Sequence, residues 1–94
     1  TLLIAMGEFG RTPKISNRAA REHHKDCYFS IWAGGGIEPG RVIGESDEKA
    51  EHPITRPITP LMVGTTIAEL CGIGARKRAE LKVLDGGSII NELI

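Results

Sequence analysis

Glu8, Arg11 and Thr12 fall within five consecutive positions of the stretch LLIAMGEFGRTP, Leu2 to Pro13, directly after an apolar run. A carboxylate can bind a cation or move a proton. A guanidinium offers a planar fork of donors suited to phosphate, sulfate or carboxylate, and the threonine adds a hydroxyl. Those types suit a small anion held at the strand end. The plain alternative is a strand-to-loop turn with a solvated Glu–Arg pair. A second group, REHHKDC at Arg21–Cys27, packs two histidines, two carboxylates and a thiol into seven residues. Imidazole and carboxylate are the usual ligands of a borderline divalent ion, and Glu8 could complete such a set. Adjacent side chains point apart, so at most one of His23 and His24 is expected to reach a shared ion. Surface histidines in a polar loop are the alternative there, and also for His52.

The elements that must position these groups begin with Leu2–Met6. A short, wholly apolar run reads as a strand covered on both faces, of the kind found inside parallel sheets. In open α/β sheets ligands bind beyond the carboxyl ends of the strands, which is where Glu8 would be delivered. Gly7 and Gly10 give the backbone room to turn. Ser16–Glu22 has helical propensity without an apolar stripe. Tyr28–Ala33 reads as a second strand, ended by Gly34–Gly36, and Arg41–Ile43 as a short returning one. Glu45–Pro60 reads as an irregular acidic, proline-containing loop. Thr59 then predicts an N-cap and Pro60 the first helical position, with Val63, Ile67, Leu70 and Cys71 on the apolar face and Gly72 or Gly74 as the stop. A turn is expected at Asp85–Gly87.

Bulk properties exclude more than they assign. Twelve Lys and Arg balance twelve Asp and Glu, which gives no global attraction to nucleic acid or an anionic membrane. Arg76–Arg78 reads as a solvated basic face. No apolar run is long enough to span a membrane. Cys27 and Cys71 form no CxxC motif and read as two buried free thiols. No GxSxG, P-loop or GxGxxG context is present, so no complete catalytic apparatus is expected. The uncovered first strand is expected to make residues 1–94 one C-terminal segment of a larger α/β protein.

Five stretches in order, TLLIAMGEFGRTPKI, REHH, FSIWAGGGIEPGRVIGESDE, PITPLMVGTTIAELCGI and LDGGSIINEL, resemble the C-terminal part of a bacterial family of uncharacterised proteins. That family lies within the alkaline phosphatase/sulfatase superfamily, and its marks are EFGRTP-like, RDHW-like and AGGG motifs. The resemblance implies a doubly wound, mostly parallel α/β sheet with a divalent metal site at the strand ends. In the superfamily enzymes an Asp-His pair ends the strand matching Leu2–Met6, and both side chains bind one metal. Glu8 keeps the carboxylate here, whereas Phe9 cannot ligate. His23 matches a later histidine that binds the other metal, and His24 stands where the family usually has tryptophan. Glu8 and His23 are therefore the expected metal ligands; Arg11 and Thr12 belong to the family turn, and their residue types alone make them the expected contacts to substrate.

The implied parent is a metal-dependent phosphate- or sulfate-ester hydrolase acting on a small anionic ester. Its nucleophile would precede this segment, so residues 1–94 are not expected to be active without the remainder of the parent chain. The alternative is a superfamily member that has lost catalysis and serves as a binding or scaffolding module, a reading that Phe9 favours. An independent small α/β domain without a site is the third. Family habit suggests a periplasmic or extracellular location, and no nucleic-acid partner or membrane span is expected.

Overall fold

The computed structural model describes residues 1–94. It is a mixed α and β chain. Strands β1 (Leu2–Met6), β2 (Gly10–Arg11), β3 (His23–His24) and β4 (Ser30–Gly34) precede helices α1 (Pro60–Leu70) and α2 (Ala75–Leu81), and a 3₁₀ turn follows at Asn91–Leu93. The strands form two two-stranded sheets, β1 with β4 and β2 with β3. The doubly wound sheet expected from the resemblance is not assembled by these residues alone. No helix is long and apolar enough to cross a membrane.

Contacts divide the chain into two compact units. The first takes Thr1–Leu2, Gly34–Arg41 and Ile58–Ile94; the second takes Leu3–Ala33 and Val42–Pro57.

In the first unit, α1 begins as its sequence dictates. Thr59 has extended backbone, its hydroxyl accepts from the Met62 N–H, and Pro60 opens the first turn where its missing N–H costs nothing. The helix ends at Cys71, with Gly72 following at φ +86°. The inward face differs from the expected apolar stripe. Met62, Thr65 and Thr66 are the buried residues, while Val63, Ile67 and Leu70 are only partly covered and Cys71 is exposed. Back-bonding to the turn before makes two threonines acceptable inside: Thr65 donates to the Leu61 carbonyl and Thr66 to that of Met62. Thr66 Oγ1 also accepts the Ile90 N–H at 2.9 Å, and Ile90 is itself 1% exposed. Gly87 lies so close to the Thr65 hydroxyl that a side chain there would collide with it.

Helix α2 has no apolar stripe to announce it. One member of its basic cluster corrects the reading of Arg76–Arg78 as solvated: Arg78 is 8% exposed and bonds Glu69 Oε2 at 2.7 Å and the Ile73 carbonyl at 2.8 Å. Arg76 and Lys77 do stay at the surface, near Glu80. The Asp85–Gly87 turn forms as expected, with Gly87 N–H donating to the Leu84 carbonyl.

The second unit contains no buried residue. Strand β1 occupies the expected five residues, but Leu3, Ala5 and Met6 are exposed and only Leu2 and Ile4 are partly covered, so it is not enclosed on both faces by this chain. Strand β4 starts two residues later than Tyr28 and includes Gly34; the Trp32 indole N–H closes onto the Ser30 hydroxyl at 2.8 Å. Ser16–Glu22 makes a turn rather than a helix, with Ala19 N–H on the Ser16 carbonyl and Ala19 at φ +54°. The glycines Gly34–Gly36 all have positive φ, as their triple occurrence implies. Arg41–Ile43 is irregular, because no neighbouring strand lies against it. The Glu45–Pro60 loop holds only an isolated bridge between Ser46 and Pro53.

Candidate functional site

The two stretches with chemical potential meet across the smallest element of the fold. Strands β2 and β3 pair antiparallel, with Gly10 opposite His24 and Arg11 opposite His23. Directly opposed residues of an antiparallel pair present their side chains to the same face. The EFGRT turn and the EHH segment therefore form one surface. Gly10 permits the approach, since a Cβ there would strike the Cys27 carbonyl and lie 3.1 Å from that of His24.

Thr12 continues the ribbon with its side chain. Its N–H donates to the Glu22 carbonyl at 2.9 Å, and its hydroxyl oxygen accepts the Glu22 N–H at 3.1 Å in place of a backbone carbonyl. The same hydroxyl donates to the Lys14 carbonyl. Arg21 Nη1 then binds the carbonyls of Thr12 at 2.7 Å and Pro13 at 2.9 Å. Two residues of unlike chemistry thus replace the ladder that two-residue strands are too short to provide.

On the ribbon's side-chain surface the Phe9 and His23 rings lie 3.8 Å apart between centroids at 31°, and the Arg11 guanidinium carbon stands 5.4 Å from the Phe9 centroid. That distance lies within cation–π range, so Phe9 holds both a cation and an imidazole. Glu8 is exposed on the bend just before Phe9, outside the ladder. Arg11 and His23 are brought together; Thr12, next in the chain, turns instead toward the cleft lined by His24, and Glu8 lies beyond the paired residues. Glu8 and His23 are suitable donor types for a divalent ion. The chain groups no three His, Cys, Asp or Glu side chains able to hold one.

His24 does something else. Its Nε2 lies 2.7 Å from the Glu51 carbonyl, which can only accept, so that nitrogen carries the proton. Asp47 builds the loop that delivers Glu51. Its carboxylate accepts the Glu51 N–H at 2.8 Å, and its own N–H donates to the His52 carbonyl. The backbone N–H of Glu51 is the main cause holding the Asp47 carboxyl below its ordinary range; partial burial opposes it, and N–H groups of His52 and Lys49 and the His52 charge assist. His52 Nδ1 stands 3.8 Å from Asp26 Oδ2. Thr12, Pro13, Lys14, His24, Glu51 and His52 line an open cleft of about 230 Å³. Cys27 and Cys71 are free, but neither is buried as expected: Cys27 is half-buried and Cys71 exposed. Desolvation first, then the charges of Asp47 and Asp26, push the Cys27 thiol up.

The family model described as "Protein of unknown function (DUF1501)" matches residues 1–85. The chain belongs to that family. No curated protein and no solved structure matches it. In this DUF1501 chain the sequence reading did not anticipate the parts played by Arg21, Asp47 and Glu51. Arg21 and Asp47 carried a signal in their types, since a long forked donor and a short carboxylate are the side chains that satisfy turn carbonyls and turn N–H groups. Glu51 acts through its carbonyl, which no residue type announces.

Proposed function

We propose that residues 1–94 supply part of the site of a metal-dependent phosphate- or sulfate-ester hydrolase, as the C-terminal segment of a larger doubly wound, mostly parallel domain of alkaline phosphatase/sulfatase type. The observation that carries the reading is the ladder that sets Arg11 opposite His23, joining two stretches of unlike position into one surface. Exposed Leu3 and Ile31 on β1 and β4 support the larger sheet, because such alternating apolar positions are normally covered in an α/β domain.

In this reading Glu8 and His23 are donors to a divalent ion whose other ligands come from the remainder of the parent chain. The ion would polarise the phosphoryl or sulfuryl oxygen. Arg11 holds the ester's anionic oxygens with its fork, and Phe9 keeps that fork in place through its ring face. Thr12 joins them only by releasing the Lys14 carbonyl and the Glu22 N–H, because its hydroxyl is turned to the His24 side of the ribbon. The nucleophile lies outside these residues.

A second reading has one specific observation in its favour. The Phe9 ring is engaged with His23, and the resemblance expects a histidine ligand where Phe9 stands, an arrangement that suits a binding or scaffolding module which has given up catalysis. Hydrolysis of p-nitrophenyl phosphate and p-nitrophenyl sulfate by the whole protein, with added divalent ions, tests the two. On the first reading Arg11→Ala lowers kcat/KM by roughly 10²-fold, the scale of losing an oxyanion donor. Turnover unchanged by Glu8→Ala, Arg11→Ala and His23→Ala would overturn it. A wild-type protein inert toward both esters supports the binding module.

A further inference from the structure

Arg78 is nine-tenths buried, yet only one of its three guanidinium nitrogens has a protein partner. Nη1 bonds Glu69 Oε2 and the Ile73 carbonyl. Nε and Nη2 make no protein hydrogen bond, and no buried side-chain nitrogen or oxygen of the chain is left unsatisfied, so those two nitrogens retain solvent access. Arg78 lines a cleft of about 190 Å³, with Ala75, Ala79, Val83, Leu84 and the Asp85–Gly87 turn as its other walls. That leaves Nε–H and one Nη2–H without a protein acceptor, the pair that matches the two oxygens of a carboxylate. The Glu69 bond fixes the guanidinium plane from the opposite side, so little rotamer freedom remains to be lost on binding.

We propose that this cleft binds a small aliphatic carboxylate, its oxygens on the Nε–Nη2 edge of Arg78 and its stem against Ala75, Ala79, Val83 and Leu84. The shared chemistry is a carboxylate on a short apolar stem, supplied by a free short-chain acid or by the C-terminus of a peptide. The cleft has room for about six waters' share of liquid, which suits a stem of a few carbons. Glu69 already balances the Arg78 charge, so the attraction rests on the guanidinium's free donors, with Arg76, Lys77 and Lys82 on or beside α2 as more distant cations and Glu80 shared between Arg76 and Lys77. Asp85, also on the cleft wall, opposes it as a like charge. The site is independent of the ester-hydrolase reading, using none of Glu8, Arg11, Thr12 or His23.

The test is a titration of the full chain with sodium butanoate at constant ionic strength, following the Arg78 Nε–H resonance, with butanamide as the neutral control. A saturable shift with butanoate and none with butanamide is expected. Ala79→Leu, which fills the cleft without touching the guanidinium, weakens it at least tenfold, and Asp85→Asn strengthens it. Arg78→Lys abolishes it, and because that variant risks the fold, Ala79→Leu decides the matter. A dipeptide, Ala-Val, with free and amidated C-termini distinguishes the sources. Tighter binding of the free form than of butanoate identifies a peptide terminus, and weaker binding a free acid. Equal response to acid and amide, to sodium chloride alone, or in the Ala79→Leu chain would overturn the proposal.

Discussion

All five buried residues, Met62, Thr65, Thr66, Arg78 and Ile90, belong to the helical unit, and every residue proposed for the ester site belongs to the unit that has none. The first is held by a small core with its polar groups paired inside. The second is held by a two-rung ladder, a threonine hydroxyl, an arginine over two carbonyls and an aspartate over a turn. The difference teaches where tolerance lies. Core contacts act through lost volume and unpaired groups, which are expensive. Exposed hydrogen bonds exchange with water at modest net cost, so single changes in the chemistry-bearing surface are expected to cost little stability.

The comparison is sharpened most by Ile90→Ala, which empties the best-covered apolar position; a loss of about 2–4 kcal/mol in denaturant unfolding is expected. Thr66→Val keeps the shape and removes the oxygen that accepts the Ile90 N–H, leaving that donor buried. Its expected cost is about 1–3 kcal/mol, read in the same experiment. Thr12→Val in the ribbon removes two bonds of comparable length, yet both are exposed, and a loss of under about 1 kcal/mol is expected. A ribbon substitution costing as much as Ile90→Ala would break the comparison.

Two smaller effects concern titration. Asp47 is held below its unfolded value, so its contribution is fully present above about pH 4 and is lost as pH falls through the lower folded value. The Glu51 amide resonance should follow that transition in the acid limb, and Asp47→Asn should remove it. Cys27 has its thiol pushed up partly by the Asp47 and Asp26 charges, so its alkylation by iodoacetamide should set in at higher pH than for an ordinary thiol. Asp47→Asn should bring that onset down slightly.

Much of the local structure was legible in the residues. Thr59-Pro60 states where α1 begins because capping is decided within a few positions, and Leu2–Met6 states a strand because its apolar run is continuous. Gly34–Gly36 and Asp85–Gly87 announce turns for the same local reason. What escaped depends on partners distant in the chain. Strands of two residues have no period to detect, so the meeting of Arg11 with His23 could not be read. Helix α2 lacks an apolar stripe, and Arg78 is inside only because Glu69 and the Ile73 carbonyl receive it. Thr65 and Thr66 replace the expected Val63–Ile67–Leu70 face because their hydroxyls are satisfied by α1 itself and, for Thr66, by Ile90. At the candidate site residue types suggested an anion and a cation. The contacts of the Phe9 ring with both Arg11 and His23 depend on the ribbon's pairing and have no local signal.

The central claim is that Glu8 and His23 both serve one metal-dependent site. Its most direct test is the metal content per chain of the whole protein, measured by plasma mass spectrometry after dialysis, for wild type, Glu8→Ala and His23→Ala. The account predicts bound divalent metal in the wild type and at least tenfold weaker retention in each variant, with Val42→Ala, at an exposed position outside the site, unchanged as the control. Equal metal content in all four proteins, or none in the wild type after loading, would contradict it.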